Sequence, residues 1–301
     1  MIKVNKVISH YDFDGIVSAM LFIQQHGLSA NDVSFVSPGD CLDGSLIADA
    51  STAVLDLPYI ENVGTWFDHH PSNIVPDNDS SGLRMDAKSC ARVIAKFYGI
   101  KDQWKQLLDD TDRIDSATLT IEDILNPQGY VLVSRVMGTN YKEPSEIEIN
   151  KKLIELLTLN NPEVMFQHDV IKERSEFLNG YLGQVTPYLK SVCSYNDGIV
   201  NVDMRDVPFI FRHDTVRYHP YAFFPDSEIS VVMFYQPSNE NKVHISVGHN
   251  ILNRVSTFNI GEFMGSLGGG GHFGVGGVLV DRDKAEYTHT KIMDALHSHK
   301  Q

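Results

Sequence analysis

The 301-residue sequence is poor in cysteine, and its three cysteines lie far apart. Cys41, Cys90 and Cys193 form neither a disulfide framework nor a zinc site of the CxxC type. Long apolar runs are also missing, since none approaches the ~20 residues that span a membrane, and the first residues show no signal-peptide pattern. We therefore expect a cytoplasmic protein without a membrane partner.

Positive charge is the second shortage, with 25 Lys and Arg against 39 Asp and Glu and a net charge of −14. A protein that binds long duplex DNA through its phosphates normally presents a basic surface, so we expect no such partner here. Metal cations can still supply positive charge locally to an acidic protein that acts on phosphates. The 13 His residues beside many Asp provide side chains that bind metals.

Length and composition indicate a globular protein of two domains. Hydrophobic residues make up 42% and charged residues 21% of the chain, which is ordinary for a globular protein. At roughly 100–200 residues per domain, the length favours two domains. The pattern changes near residue 190, where helical periodicity gives way to short apolar runs. We therefore predict a first domain over 1–190, including a helical connector, and a second over 191–301.

Short apolar runs alternate with helical patterns in the first domain. The predicted strands are 3–9, 33–36, 52–55 and 65–67, and the predicted helices are 16–25, 88–98 and 101–110. Strands that alternate with helices favour βαβ units with a parallel sheet. In the second domain we predict strands over 198–204, 229–235 and 242–247 and a last helix over 284–297. The predicted fold class is α/β, with a parallel-sheet domain followed by a smaller α/β domain.

Carboxylates and imidazoles follow directly after the predicted strands. After the first strand come His10, Asp12 and Asp14, after the third Asp56, and after the fourth Asp68, His69 and His70. Sites in open parallel sheets lie at the carboxyl ends of the strands, so these side chains should meet at one edge. Their charges would repel unless cations lay between them, and such ligands suit Mn²⁺ or Mg²⁺ better than zinc. Two metals ~3.5–4 Å apart are the usual arrangement for in-line displacement at phosphorus.

The acidic segment, residues 108–116, carries four Asp within seven residues after a predicted helix. One of these carboxylates could complete a metal site, whereas any single one is more simply part of a solvated turn. The pattern does not choose among them.

A glycine-rich stretch in the second domain suggests anion binding. Four consecutive glycines, 268–271, allow close backbone approach, so that amide groups can converge on an anion. The stretch matches neither a Walker loop nor a dinucleotide fingerprint. Arg254 and His272 favour phosphate or nucleotide binding over a merely flexible connection.

The aromatic run 218–224, with sequence YHPYAFF, allows two interpretations. It could stack on a nucleobase, but an aromatic run that precedes a strand is more often part of a core. We predict a core position for it.

The motifs, taken in order, resemble those of the DHH phosphoesterase family. They are SHYDFDG, Asp56 within VLDLP, FDHHPS, the acidic segment and the distal GGGGH. The second half resembles the DHH-associated C-terminal domain, and the resemblance spans residues 10–277. The family includes RecJ-type exonucleases, oligoribonucleases, cyclic-dinucleotide phosphodiesterases and exopolyphosphatases.

The resemblance implies a ligand set for two metals. One metal would be held by His10, Asp12 and Asp56. The other would be held by Asp14, Asp56, His69 and an Asp of the acidic segment, so that Asp56 bridges the pair. Asp112 is the favoured ligand from the acidic segment, and Asp115 is the alternative.

The resemblance also implies catalytic and substrate-binding residues. His70 would touch the scissile phosphate or lie just outside the ligands, with Asp68 beside it as the second catalytic candidate. The substrate-binding set in the second domain would be Arg254, Ser256, Gly269, Gly270, Gly271 and His272. The active site would then lie in a cleft between the two domains.

The predicted activity is hydrolysis of phosphodiester bonds in short oligonucleotides or small nucleotides, with two Mn²⁺ ions as cofactors and Mg²⁺ as the alternative metal. An exopolyphosphatase shares the metal chemistry and is the first alternative. A non-catalytic nucleotide-binding regulator is the second, and the complete metal motifs count against it.

Overall fold

The computed structural model describes residues 3–44, 46–73, 82–100, 102–207, 216–236 and 238–299. The chain divides into two compact units, which are here called the first unit (Met1–Thr118 with Pro127–Leu178) and the second unit (Leu119–Asn126 with Asn179–Gln301). The division falls inside the long helix Asp169–Val192, within the stretch that the sequence analysis assigned to a helical connector. Within the described residues, no helix combines the length and the apolar character needed to cross a membrane.

The first unit contains a five-stranded sheet with the strand order β2-β1-β3-β4-β5. The strands are β1 (Lys6–His10), β2 (Val33–Val36), β3 (Thr52–Leu55), β4 (Thr65–Asp68) and β5 (Leu83–Arg84). All neighbouring strands pair in parallel, which confirms the predicted parallel sheet. The β3 and β4 strands are buried at every position, as expected for strands covered on both faces.

Between and after these strands, the described chain up to residue 192 forms α-helices. They are α1 (Phe13–His26), α2 (Pro38–Leu42), α3 (Cys90–Tyr98), α4 (Lys105–Asp115), α5 (Ile121–Leu125), α6 (Gly129–Val136), α7 (Pro144–Leu157), α8 (Pro162–Met165) and α9 (Asp169–Val192). The α5 helix groups with the second unit. The α1 helix is apolar on nearly all sides and is buried from Phe13 to Ile23, because it contacts β1, α3, α4 and α7.

The acidic segment does not form a turn. Most of it lies in the second half of α4, which ends at Asp115. The predicted helix 101–110 was therefore placed too early, because the carboxylates of this segment find cationic and hydroxyl partners that stabilise them on a helix. The helical register now decides which of them face the sheet.

The second unit contains a six-stranded mixed sheet with the order β10-β11-β9-β8-β7-β6. Its strands are β6 (Cys193–Asn196), β7 (Ile199–Asp203), β8 (Ile229–Gln236), β9 (Asn239–His249), β10 (Gly270–His272) and β11 (Val275–Asp281). Among the described strands of this sheet, only β7 and β8 pair in parallel. The three predicted strands correspond to β7, β8 and β9, whereas β6, β10 and β11 were not anticipated.

Among the described residues of the second unit, the helices that follow α9 are α10 (His219–Phe223), α11 (Ile260–Ser266) and α12 (Ala285–His299). The α11 and α12 helices contact the sheet, and the shared core includes Val231, Ile245, Met264 and Ile292. In the aromatic run, Tyr221 is 3% exposed and its hydroxyl shares a 2.7 Å hydrogen bond with Ser230. The central tyrosine of this run therefore belongs to the core, as predicted.

Candidate metal centre

The turn from β1 into α1 delivers the first three ligand candidates. The Asp12 side chain caps α1 by accepting a 2.9 Å hydrogen bond from the Gly15 amide. A Cβ at Gly15 would lie 2.1 Å from the His10 carbonyl oxygen, so only glycine allows the helix to begin this close to the strand. Ser9 closes the turn by donating to the Gly15 carbonyl at 2.8 Å. His10, Asp12 and Asp14 are thereby held at the carboxyl edge of the sheet.

Asp14 is buried in the first turn of α1 and is oriented by the N-terminus of α3. Its carboxylate accepts hydrogen bonds from the Cys90 amide at 2.6 Å and the Ala91 amide at 2.9 Å. Burial, together with the charges of Asp56 and Asp115, raises the pKa of Asp14 well above its usual value. The backbone amides of α3 thus fix this carboxyl group in place, close to the acidic side chains of Asp56 and Asp115.

Asp56 follows directly after β3 and has a left-handed backbone, with φ at 58°. Asp tolerates this conformation better than most residues, at a cost of about 1–3 kcal/mol that the surrounding structure must offset. Its amide donates to the Phe67 carbonyl at 2.9 Å, which ties the turn to β4. The side chain is 1% exposed, and its Oδ2 lies 3.3 Å from His10 Nδ1.

His69 follows β4 and presents one nitrogen to the acidic residues. Its Nδ1 donates to the Ala87 carbonyl at 3.1 Å, so Nε2 of the neutral ring is an acceptor. This Nε2 lies within 3.6 Å of a carboxylate oxygen of each of three acids, Asp14, Asp56 and Asp115. An outer hydrogen bond that sets the tautomer in this way is typical of a metal-binding histidine.

Two of these atoms test whether the site fits a metal. Among the residues that the structure describes, Asp56 Oδ1 and His69 Nε2 are buried without a hydrogen-bond partner, although they lie only 3.5 Å apart. Buried polar atoms are nearly always satisfied, and two facing acceptors repel each other unless a proton or a cation lies between them. The carboxylate and imidazole donors contain no thiolate and therefore suit a hard divalent cation such as Mn²⁺ or Mg²⁺.

Side chains from four parts of the first unit converge here. Within the described part of the chain, three groups have ligand atoms close enough to share an ion: His10, Asp12 and Asp56; Asp14, His69 and Asp115; and Asp56, His69 and His70. The term "metal cluster" is used below for these seven residues. Asp56 occurs in two of the groups, with His10 and Asp12 in one and with His69 and His70 in the other, so its position fits a bridging ligand.

Without a metal, the cluster retains protons. Burial lowers the pKa of His10, but hydrogen bonds to Asp12 and Asp56 outweigh it and raise that pKa to about 10. Burial also acts to lower the pKa of His69, but the neighbouring Asp56 carboxylate outweighs this effect and raises the pKa to about 9. Burial raises the pKa of Asp56, yet both imidazoles hold it well below its usual range. Protons on the imidazoles therefore offset the acidic charge that a cation would otherwise neutralise.

The two candidates from the acidic segment have different surroundings. Asp112 accepts hydrogen bonds from the Ser89 hydroxyl at 2.6 Å and from Arg92 Nε at 2.9 Å, and Arg92 also pairs with Asp109. Asp115 lies instead with Oδ2 3.4 Å from His69 Nε2. The structure thus brings the alternative candidate, Asp115, into the metal cluster and leaves Asp112 in an ion pair outside it. Burial, together with the charge of Asp56, raises the pKa of Asp115 to about 7.

Asp68 lies outside the metal cluster and forms a hydrogen-bonded pair with His70, which belongs to it. Asp68 is fully buried and accepts from His70 Nδ1 at 2.9 Å and from Asn73 Nδ2 at 2.7 Å. The bond to Asp68 raises the pKa of His70 and orients a ring whose side chain is 44% exposed. The sequence analysis missed Asn73, the Ala87 carbonyl and the α3 amides, because their roles depend on chain segments that meet only in the fold.

The predicted substrate-binding residues lie in the second unit, mostly on exposed backbone. A Cβ at Gly269 would lie 2.1 Å from the Gly277 carbonyl, and one at Gly271 would lie 2.2 Å from the Val275 carbonyl. These two glycines are therefore required for the approach to β11, whereas Gly270 faces open space. Nearby His272 is exposed at the end of β10.

The loop after β9 carries the remaining two of those residues. Arg254 is exposed, and its Nε donates to the Ile251 carbonyl at 3.2 Å. Ser256 accepts a 3.4 Å hydrogen bond from the Phe258 amide. Their roles toward a substrate stay predictions.

Comparisons with known proteins bear on the fold. No protein-family model and no curated protein matches the sequence. The solved structure of the pGpG-specific phosphodiesterase PggH from Vibrio cholerae matches with a TM-score of 0.84 and 23% identity, covering 97% of this chain and 99% of that chain. RecJ with Mn²⁺ from Thermus thermophilus matches with a TM-score of 0.52 and 10% identity, over 95% of this chain and 51% of that one. The chain therefore has the fold of these two solved structures, which belongs to the α/β class that the sequence predicted.

Proposed function

We propose that the protein is a metal-dependent phosphodiesterase that hydrolyses short oligonucleotides or small nucleotides, with two Mn²⁺ ions as cofactors. The observation that carries the proposal is the pair of buried side-chain atoms, Asp56 Oδ1 and His69 Nε2, which face each other at the centre of the metal cluster and have no hydrogen-bond partner among the described residues. A pair of divalent cations there would make a water nucleophilic near neutral pH and stabilise charge on the attacking and leaving oxygens.

The ligand groups follow the geometry. His10 and Asp12 would hold one cation, Asp14 and Asp115 the other, and Asp56 would bridge them. His69 would join Asp14 and Asp115, since its Nε2 faces both carboxylates. Asp115 replaces Asp112 in the proposal because Asp112 is engaged by Ser89 and Arg92.

His70 would act on the substrate directly. With Nδ1 bound to Asp68, its other ring nitrogen is free to hold a proton, and the raised pKa keeps more of the ring protonated at neutral pH. We infer that His70 donates this proton to the leaving oxygen or to the scissile phosphate, and that Asp68 positions it. Arg254, His272 and the exposed glycine backbone of the second unit would bind non-reacting parts of the substrate.

Small substrates are favoured for two reasons. The net charge of −14 opposes extended binding of a long phosphate backbone. The fold also matches almost the whole chain of PggH, a phosphodiesterase described as specific for the linear dinucleotide pGpG. We therefore rank linear dinucleotides first among the candidate substrates.

The test is a substrate panel with the purified protein and Mn²⁺. The panel holds linear dinucleotides, longer oligonucleotides, cyclic dinucleotides, 3′-phosphoadenosine 5′-phosphate and polyphosphate. Preferred cleavage of linear dinucleotides supports the proposal, preferred cleavage of polyphosphate replaces it with an exopolyphosphatase, and tight nucleotide binding without hydrolysis identifies a regulator.

A matched pair of variants tests the metal requirement. Asp56→Asn should lower Mn²⁺ affinity and turnover by more than the roughly 10–100-fold that is typical of an outer-shell partner. Asp109→Asn, which removes a carboxylate paired with Arg92 and Lys105 outside the metal cluster, serves as the control. Near-normal Mn²⁺-dependent activity in Asp56→Asn would contradict the proposal.

A further inference from the structure

Two stacked tyrosines adjoin the metal cluster and have no part in the proposed chemistry. Tyr11 lies between His10 and Asp12, and its ring stacks on that of Tyr141 with the centroids 4.8 Å apart and an interplanar angle of 27°. The His10 ring meets Tyr11 edge to face at 5.0 Å. Both tyrosines are half-buried and so keep accessible surface beside a predicted metal ligand. They are called the tyrosine pair below.

The chain that carries Tyr141 is rigidly supported at its start. Asn150 is 1% exposed, and its side-chain amide both accepts from the Gly138 amide at 2.7 Å and donates to the Gly138 carbonyl at 3.0 Å. A Cβ at Gly138 would lie 2.2 Å from the Glu146 carbonyl, so the segment passes very close to α7. The connection between α6 and α7 is therefore a fixed support for Tyr141.

A second set of contacts braces the same connection. Arg174 on α9 donates to the Val136 and Met137 carbonyls and pairs with Glu146 at 3.0 Å. Glu146 in turn accepts from the Thr139 amide at 2.9 Å. An arginine that satisfies the carbonyls at the end of α6 in this way leaves the following residues little freedom.

The tip of the connection is fixed through Tyr141 itself. Its hydroxyl donates to Ser37 Oγ at 3.1 Å, at the residue that caps α2 after β2. Lys142 places its ammonium group 5.3 Å from the Tyr141 ring centroid and is exposed. A preordered aromatic surface beside a cation loses little entropy when a flat, anionic ligand binds.

We propose that the tyrosine pair is the surface on which a nucleobase of the substrate packs, and that it determines the preference for nucleotides over base-free phosphate esters. The inference rests on the proposed function and adds the chemical group that is recognised. A nucleotide whose phosphate reached the metal cluster would have its base close by, and base–aromatic stacking accepts every base because each has a π-face. The other aromatic run, 218–224, is unsuited at its centre, where Tyr221 is buried.

The experiment compares a linear dinucleotide with the same molecule lacking its bases. Tyr141→Leu should lower kcat/KM for the dinucleotide by roughly 5- to 150-fold, the range expected for one lost stacking contact, mostly through KM. Hydrolysis of the abasic analogue should be unchanged. Tyr141→Phe, which keeps the ring, should restore most of the dinucleotide activity. Phe177→Leu, at an aromatic residue of α9 that is 77% exposed, is the matched control.

Calcium-supported equilibrium binding of both molecules and a Mn²⁺ titration of each variant complete the design. Equal losses of Tyr141→Leu on both substrates, or no loss on either, overturn the inference. A wild-type protein that hydrolyses no dinucleotide overturns the proposed function instead. In that case the binding measurements still test the inference. Binding that requires the bases and that Tyr141→Leu abolishes supports base recognition by the tyrosine pair, whereas binding that does not depend on the bases refutes it.

Discussion

Asp112 and Asp115 lie three residues apart on α4, but Asp112 pairs with Arg92 whereas Asp115 lies beside His69 in the metal cluster. A comparison of their asparagine variants therefore tests which of the two carboxylates binds metal. Asp112→Asn weakens a part-buried ion pair with Arg92, which retains Asp109 as its other partner. The loss of a charge-assisted hydrogen bond should cost about 1.5–3 kcal/mol of unfolding free energy. For a unit of this size, that lowers Tm by roughly 3–12 °C.

Asp115→Asn should change stability in the opposite direction when no metal is present. Because burial and Asp56 raise the pKa of Asp115 to about 7, ionisation of this carboxyl is less favourable in the folded state. The resulting penalty is absent below about pH 4, where the group is protonated in both states, and complete above about pH 7. With a side chain 21% exposed, we expect Asp115→Asn to stabilise the metal-free protein at pH 7.5 by about 1–3 kcal/mol.

Addition of Mn²⁺ should stabilise the wild type and Asp112→Asn more than Asp115→Asn. A ligand that binds only the folded state stabilises it by about 2.7 kcal/mol at a concentration of 100 times its Kd. Wild type and Asp112→Asn should gain the same Tm increment from Mn²⁺, whereas Asp115→Asn should gain much less. Thermal unfolding of the three proteins in chelator and in Mn²⁺ measures both effects. A lost increment in Asp112→Asn with a full increment in Asp115→Asn would refute the proposed assignment.

Three further predictions concern protons, the second unit and a turn. The affinity for Mn²⁺ should rise from about pH 6 to about pH 9, because His10 and His69 have raised pKa values and must lose their protons before they bind a metal. Calorimetry in two buffers of different ionisation enthalpy measures the protons that are released. Arg254→Ala should leave Mn²⁺ binding intact but lower kcat/KM for a dinucleotide roughly ten- to a hundred-fold, and a loss of metal binding would count against a substrate role. Gly15→Ala should lower the free energy of unfolding in urea by about 1–3 kcal/mol, because the new Cβ would lie 2.1 Å from the His10 carbonyl oxygen. An unchanged urea midpoint would show that the turn tolerates a side chain.

Several features of the fold were predictable because they depend on local patterns. The apolar runs 33–36 and 52–55 coincide with β2 and β3. The position of the residues that follow the strands was predictable as well. Once parallel pairing is inferred, residues after neighbouring strands must share one edge, so His10, Asp56 and His69 could be placed together from the sequence alone.

The errors share a physical cause. The carboxylates of the acidic segment were expected after a helix, because Asp is a weak helix former whose side chain competes for backbone groups. In the structure, Arg92 and Ser89 from α3 satisfy Asp112 and hold α4 together to Asp115. Tertiary contacts thus overrode local propensity. The short strands β6 and β10 were missed for a related reason, since each depends on a partner strand and carries little apolar pattern of its own.

The sequence by itself determined the parallel-sheet architecture, the order of the motifs and the chemistry of the donors, because these follow from periodicity and residue type. Only the tertiary structure decided which acid of α4 enters the metal cluster, since that depends on where the helix ends and how it packs. Packing also decided the tautomer of His69, through the Ala87 carbonyl, and the contact between Tyr11 and Tyr141. No local pattern specifies such contacts, because they exist only once distant segments have been brought together.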